Sequence, residues 1–284
     1  MISKLKANHK MIDEKIREFL LTHMVNATVR AGAAIMEIYN SGDDYQIDTK
    51  SDNSPITTAD RAAHHAIKES LGATRIPIMS EEGREMLYDE RRNWEMFWLV
   101  DPLDGTVEFI NRNHEFTVNI ALMYRGRAIA SAIYVPYFER LYVAGHKLGA
   151  HVAEGIVATS HFDMGYKELS MNLTPLPLHH DSRTTFRVAV SRSHITPETY
   201  VYIEKLRGEH PDLEIVEQGS SYKFCMLADG SVDYYIRASS TYEWDTAAGE
   251  LILAESGGVT RTVDGAQLRY NKESLLNPWF ECYR

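Results

Sequence analysis

Apolar positions recur with two periods along this chain. Between Ile12 and Tyr39 the residues Ile16, Leu20, Ile35 and Ile38, around an alanine-rich centre, fit one face of an amphipathic helix with room for a single break. Thr57, followed three positions on by Asp60, resembles a capping box with Asp in place of Glu, so a helix is expected through ADRAAHHAIKESL. IPIMS (76–80) and FWLV (97–100) read as short buried strands that stop at Glu81-Glu82 and at Asp101. FTVNIALMY (116–124) and AIASAIYVP (128–136), joined across Arg125-Gly126, predict an antiparallel hairpin.

Residues 172–183, NLTPLPLHHDSR, hold two prolines and little periodicity. They mark the expected boundary between an N-terminal α+β part, 1–178, and a C-terminal α/β part, 179–284. Beyond it strands and helices alternate: FRVAVS, PETYVYIEKLR, LEIVEQ, SYKFCMLADG and VDYYIRA, then TAAGELILAESGG (246–258), a helix closed by glycines. The fold class expected is thus α+β passing into α/β. The stretch 154–183 reads as a surface loop that could alter subunit contacts or cover a site.

Composition narrows the function. Of 284 residues 44% are apolar and 25% charged, which suits a globular protein, and the formal net charge of −10 argues against a nucleic-acid polymer or an anionic membrane as partner. The opening segment MISKLKANHKMIDEKIREFLL offers no signal-peptide core, and no apolar run is long enough to span a bilayer. Two cysteines, Cys225 and Cys282, exclude a disulfide scaffold. The expected location is cytoplasmic, or peripheral at the cytoplasmic face of the inner membrane. Twelve scattered histidines, including His64-His65 and His179-His180, do not suggest zinc, and Tyr134, Tyr137 and Tyr142 read as packing residues.

Four acidic clusters share one property: each sits at the edge of an apolar element. They are Asp60, Glu81-Glu82, Asp101 with Asp104 in DPLDGT, and Asp245 in WDTAAGE. Taken singly, each is ordinarily a solvated turn or a helix-terminal charge. Taken together, they point to hard divalent cations, which prefer oxygen ligands and would cancel the repulsion between Asp101 and Asp104. The proline between those two stiffens the bend and lets the Leu103 carbonyl turn the same way. Gly105 and Thr106 behind it open a helix whose N–H groups could cradle a phosphate oxygen, with the Thr106 hydroxyl placed to align a water.

SDNSPITTAD, SEE, WLVDPLDGTVEFI and WDTAAGELILAESGG resemble the inositol monophosphatase superfamily of Mg²⁺-dependent, lithium-sensitive phosphomonoesterases, from about residue 25 to the C-terminus. KSDNSPITTAD, DPLDGTVEFINRNHEFTVNIAL, VSRSH, GSSYKFCMLADG and LLNPWF resemble its bacterial 3′(2′),5′-bisphosphate nucleotidase branch, the CysQ type, which converts adenosine 3′,5′-bisphosphate to AMP and belongs to sulfur metabolism. Inositol phosphatases typically carry Asn where this chain has Glu108 and lack the VSRSH and GSSYKF pieces. The resemblance implies a layered αβαβα sandwich and two or three Mg²⁺ ions held by Glu81, Asp101, the Leu103 carbonyl, Asp104 and Asp245. It implies that Asp60 and Thr106, with Glu81, are the catalytic set, orienting and deprotonating the attacking water. Two cations clamping the attacking and leaving oxygens would make a covalent phosphoenzyme unnecessary.

It further implies that Leu103, Asp104, Gly105 and Thr106 hold the scissile phosphate beside Glu81 and Asp245. Ser193, His194, Ser220 and Lys223 would then contact the rest of the nucleotide. Read without the resemblance, His194 is a surface residue at a strand end and Lys223 a solvated helix charge; the family pattern makes a phosphate contact as good a reading of Lys223. Rival expectations are an inositol or sugar phosphatase of the same superfamily, and a non-catalytic regulatory relative, although none of the implied ligands is missing here. The partner expected is a small phosphomonoester, for a monomer or homodimer.

Overall fold

The run FWLV is apolar at every position because both faces of its strand are covered. A computed structural model describes residues 14–42, 46–49, 55–178 and 184–284. In it β4 (Met96–Asp104) points Trp98 and Val100 into one apolar cluster and Phe97 and Leu99 into another. The first cluster joins that face of the sheet to helix α1 (Glu14–Asn40) and helix α2 (Thr58–Gly72). Helix α1 runs unbroken, so the break allowed for in the sequence does not occur. Ile12 and the rest of 1–13 lie outside the described residues, as do 50–54 and His179-His180.

The sheet bearing β4 has seven strands, in chain order: β3 (Ile78–Ser80), β4, β5 (Thr117–Tyr124), β6 (Arg127–Val135), β7 (Arg140–Gly145), β8 (Gly149–Ala153) and β9 (Thr174–Pro175). Only β3 and β4 are parallel, which sets Glu81 and Asp101 side by side just beyond the aligned pair Ser80 and Val100. The hairpin expected at Arg125-Gly126 is β5–β6, with Tyr124 paired to Arg127.

The second sheet has five strands, in the order β11 (Glu214–Gln218), β10 (Arg187–Ser191), β12 (Tyr234–Arg237), β14 (Phe280–Tyr283) and β13 (Val259–Thr262). Between the sheets lie α7 (Tyr222–Asp229) and α8 (Glu243–Glu255), whose Phe224, Leu227, Ala247 and Ile252 share one core with Phe97, Ile133, Tyr235 and Phe280. Outside the second sheet α6 (Pro197–Glu209) covers Val188 and Val190 with Ile203. The layers are therefore α1/α2, sheet, α7/α8, sheet, α6, which is the αβαβα sandwich expected.

Three local readings need correction. Strand β4 does not end at Asp101 but continues to Asp104 through a bulge, because Asp101 pairs with Asn119 and Asp104 with Thr117. Three steps on one strand match two on the other, and the extra residue falls where Pro102 lacks an N–H to donate. Helix α8 starts at Glu243 rather than at Thr246, putting Asp245 in its first turn. The stretch 154–183, of which 154–178 is described, is not a bare loop: it holds α5 (Tyr166–Ser170) and β9, and its described part docks on α1. Arg30 donates to the Phe162 carbonyl (2.7 Å) and the Met164 N–H to Asn26 Oδ1 (3.1 Å). Among the described residues no helix is long and apolar enough to cross a membrane.

Candidate active site

Helix termini and strand ends deliver the carboxylates. At the start of α2, Asp60 Oδ2 accepts from the Thr57 N–H (2.7 Å) and the Thr57 hydroxyl (2.6 Å), closing the capping box read from the sequence. At the start of α8, Asp245 Oδ2 accepts from the Tyr242 N–H (2.8 Å) in the same way. In each case one carboxylate oxygen satisfies the helix and the other is left to face elsewhere. Capping alone does not make a site: Glu90, at the start of the short helix α3 (Tyr88–Arg91), does the same on the surface and pairs with Arg84.

Glu81, Asp101 and Asp245 converge. One carboxylate oxygen from each lies within 4.8 Å of the other two. Asp104 stands beside them with Oδ2 already engaged by the Ser221 N–H (2.6 Å), the Ser221 hydroxyl and Asn119 Nδ2 (3.2 Å), which leaves Oδ1 as its available ligand atom. The Ser221 oxygen is also 2.7 Å from the Asp245 carbonyl, so one side chain ties the bulge of β4 to the first turn of α8. Desolvation, then the negative charges of Asp104 and Glu81, push the Asp245 carboxyl well above the usual carboxylate range.

These groups floor a cavity of about 540 Å³ lined also by Leu103, Gly105, Thr106, Glu108, Ser220 and Lys223. Gly105 takes φ +91° at the head of α4 (Thr106–Ile110), a left-handed turn open to glycine, and a Cβ there would sit 3.0 Å from the Glu115 carbonyl. Thr106 Oγ1 donates to Asp60 Oδ1 at 3.0 Å, with the Leu103 carbonyl 3.3 Å away. Asp60 itself is buried and does not line the cavity, and Thr106, which does, stands between the two. Glu82 does not line it either.

The cavity also has a cationic part. Lys223 is buried, donates to the carbonyls of Gln218 (2.8 Å) and Ser220 (2.6 Å), and is lowered to about 8 by desolvation and the neighbouring charge of Arg237. It is not the solvated helix charge allowed for in the sequence. Arg237, which sequence reasoning missed, lines the cavity too; its buried Nε has no hydrogen-bond partner among the described residues. His194 lines the cavity from an exposed position, whereas Ser193 stands outside it and donates to Glu108 Oε1 (2.6 Å). Asn119 and Ser221 carried no local signal, since their partners are distant in sequence, and Arg237, which donates to the nearby Ser240 carbonyl (3.1 Å), read only as the end of a strand.

The sequence model of the inositol monophosphatase family matches residues 16–279. The chain belongs to that family. The 3′(2′),5′-bisphosphate nucleotidase CysQ of Shigella flexneri is 39% identical over 264 residues, covering 92% of this chain and 98% of the relative. The protein of the same name in Escherichia coli strain K12 is 38% identical with the same coverage. The crystal structure of CysQ from Bacteroides thetaiotaomicron, a bacterial member of the inositol monophosphatase family, matches with a TM-score of 0.84 and 43% identity over 92% of this chain and 95% of that one. The suhB protein of Bartonella henselae, 23% identical at a TM-score of 0.73 and covering 94% of each chain, shares the fold alone. Inositol monophosphatase family enzymes are metal-dependent, and the donor set here fits such a metal: three converging carboxylates, a fourth beside them, and no thiol or imidazole in the group.

Proposed function

We propose that this protein is a Mg²⁺-dependent phosphomonoesterase that removes the 3′-phosphate of adenosine 3′,5′-bisphosphate, giving AMP and inorganic phosphate. The observation that carries this is the mixed charge of the cavity lining: Glu81, Asp101, Asp104 and Asp245 share it with two cations, Lys223 and Arg237. A substrate with one phosphate needs one place for its charge; a bisphosphate needs two. The nucleotidases it resembles carry that activity in their names.

Glu81, Asp101, Asp104, Asp245 and the Leu103 carbonyl would hold the metal. Two dications balance four carboxylates, whereas one would leave two negative charges facing the substrate. When bound, such ions offset phosphate charge and make water a better nucleophile. The chain's own residues do the rest. Thr106 gives its hydroxyl proton to Asp60, so its lone pairs face the cavity and can accept from the attacking water. A proton leaving that water then has a path through Thr106 to Asp60. The N–H groups of Gly105 and Thr106 border the phosphate position, and Lys223 and Arg237, with Ser220 and His194, would hold the second phosphate.

The two cysteines are free and buried, which suits a reducing compartment, and we place the protein in the cytoplasm. Nothing among the described residues supports the peripheral alternative. Phosphate release from adenosine 3′,5′-bisphosphate and from inositol 1-phosphate, under the same Mg²⁺, tests the substrate. The nucleotide should win in kcat/KM by about 100-fold or more, as two desolvated charge contacts allow. Equal or reversed preference would overturn the assignment.

A further inference from the structure

The cations of the cavity belong to one half of the chain and its carboxylates mostly to the other, so something must fix the spacing between them. Two carboxylates of the first half reach across. Glu115, just ahead of β5, accepts from Arg192 Nε and Nη2, both at 2.7 Å, and from the Gly219 N–H, also at 2.7 Å. Glu108, in α4, accepts from the Ser193 hydroxyl at 2.6 Å. Both carboxylates are buried. Arg192 meanwhile donates to the Glu217 carbonyl (2.8 Å), which ties it to β11.

The approach is too close to be incidental. A Cβ on Gly219 would lie 2.4 Å from Glu108 Cγ and 2.8 Å from the Glu115 carbonyl, so only glycine fits between them. Gly219 sits in the turn whose carbonyls, Gln218 and Ser220, hold Lys223 Nζ. Glu115 thus grips two of the segments that carry the cationic part, the 192–194 loop through Arg192 and the 218–220 turn through Gly219, while Arg237 stands on β12. A bidentate carboxylate–guanidinium pair fixes orientation as well as distance.

We propose that Glu115 and Arg192 are positioning residues that set the distance between the hydrolytic part and the second-phosphate part, and so determine preference for a bisphosphate over a monophosphate. This rests on the nucleotidase assignment above. Loosening the clasp removes no carboxylate of the acidic floor, and Asp104 keeps its own bonds to Ser221 and Asn119, so hydrolysis of a substrate lacking the second phosphate changes little.

The test is steady-state kinetics of the full-length wild type, Glu115→Gln and Arg192→Lys on adenosine 3′,5′-bisphosphate and adenosine 3′-monophosphate. Arg192→Lys keeps the charge but loses the two-pronged contact, and its half-exposed position makes it the variant to rely on if Glu115→Gln does not fold. We expect KM for the bisphosphate to rise about tenfold with kcat within about twofold, and both constants for the monophosphate to stay within about twofold. A wild type that prefers the bisphosphate, with variants that keep the preference or lose activity equally on both substrates, overturns the clasp alone. A wild type that shows no preference overturns the second-phosphate assignment and the clasp with it.

Discussion

The acidic and the cationic parts of the cavity are built by different means. The acidic part hangs from the ends of regular elements: the parallel pair β3–β4, the bulge at Pro102, and the first turns of α2 and α8. The cationic part hangs from loops and one strand terminus, held by Glu115, Arg192 and the carbonyls around Lys223. Element ends are fixed by local backbone bonding, so charge placed there is held rigidly, as chemistry requires. Loops held by side chains are easier to re-tune, as substrate choice requires.

Breaking the acidic part should cost most. Asp101→Asn should lower kcat by about 1,000-fold or more with the fold retained, measured as Mg²⁺-dependent phosphate release, because a ligand to the charge-stabilising ions is lost. Near-normal turnover would remove Asp101 from the ligand set. Thr106→Ala and Asp60→Asn should each cost about 100-fold in kcat with little change in KM, and the double variant little more than either single one, since proton removal acts as a unit. Additive losses would mean that the Thr106–Asp60 contact is not the proton path.

The cationic part should answer in KM instead. Arg237→Ala should raise KM for adenosine 3′,5′-bisphosphate by about 10- to 100-fold, with kcat and monophosphate hydrolysis nearly unchanged, as expected for a contact made equally in ground and transition states. A fall in kcat of the same size would place Arg237 with the chemistry and erase the contrast.

The smallest effect is in stability. In metal-free protein the Asp245 carboxyl titrates well above its usual range, so the folded state holds a proton that the unfolded state releases. Its contribution to stability is therefore present at low pH and lost as pH rises towards the raised value. In chelator, Asp245→Asn should melt above wild type at mildly alkaline pH, and the gap should close on acidification below the ordinary carboxylate range. Added Mg²⁺ should reverse it. A wild type that melts higher throughout in chelator would show that Asp245 is paired without metal.

The same contrast explains what the sequence could reveal. Thr57 and Asp60 announce a helix start within four positions, and Asp101 and Asp104 bracket a proline after an apolar run, so the acidic part was readable from local pattern. Asp245 was readable too, although the helix start was misplaced because Tyr242 offers no short polar cap. The extension of β4 past Pro102 was not, since proline ordinarily argues against a strand and only the partner strand reveals the bulge. The pair β13–β14 likewise depends on partners distant in sequence, whereas β7 and β8 form a local hairpin, Gly145 paired with Gly149, that the sequence reading passed over. Arg237 and Asn119 gave no sign because their meaning lies across the fold: Asn119 reaches Ser221 at 3.0 Å from 102 positions away. Ser193 was found by resemblance, yet it contacts Glu108 rather than lining the cavity.

Anomalous scattering from a crystal soaked in Mn²⁺, a stand-in for Mg²⁺, is the most direct test of the central claim that separate element ends make one cation site. A peak coordinated by Glu81, Asp101 and Asp245 is expected, absent from crystals of Asp101→Asn. Manganese bound only elsewhere, or not at all, would contradict it.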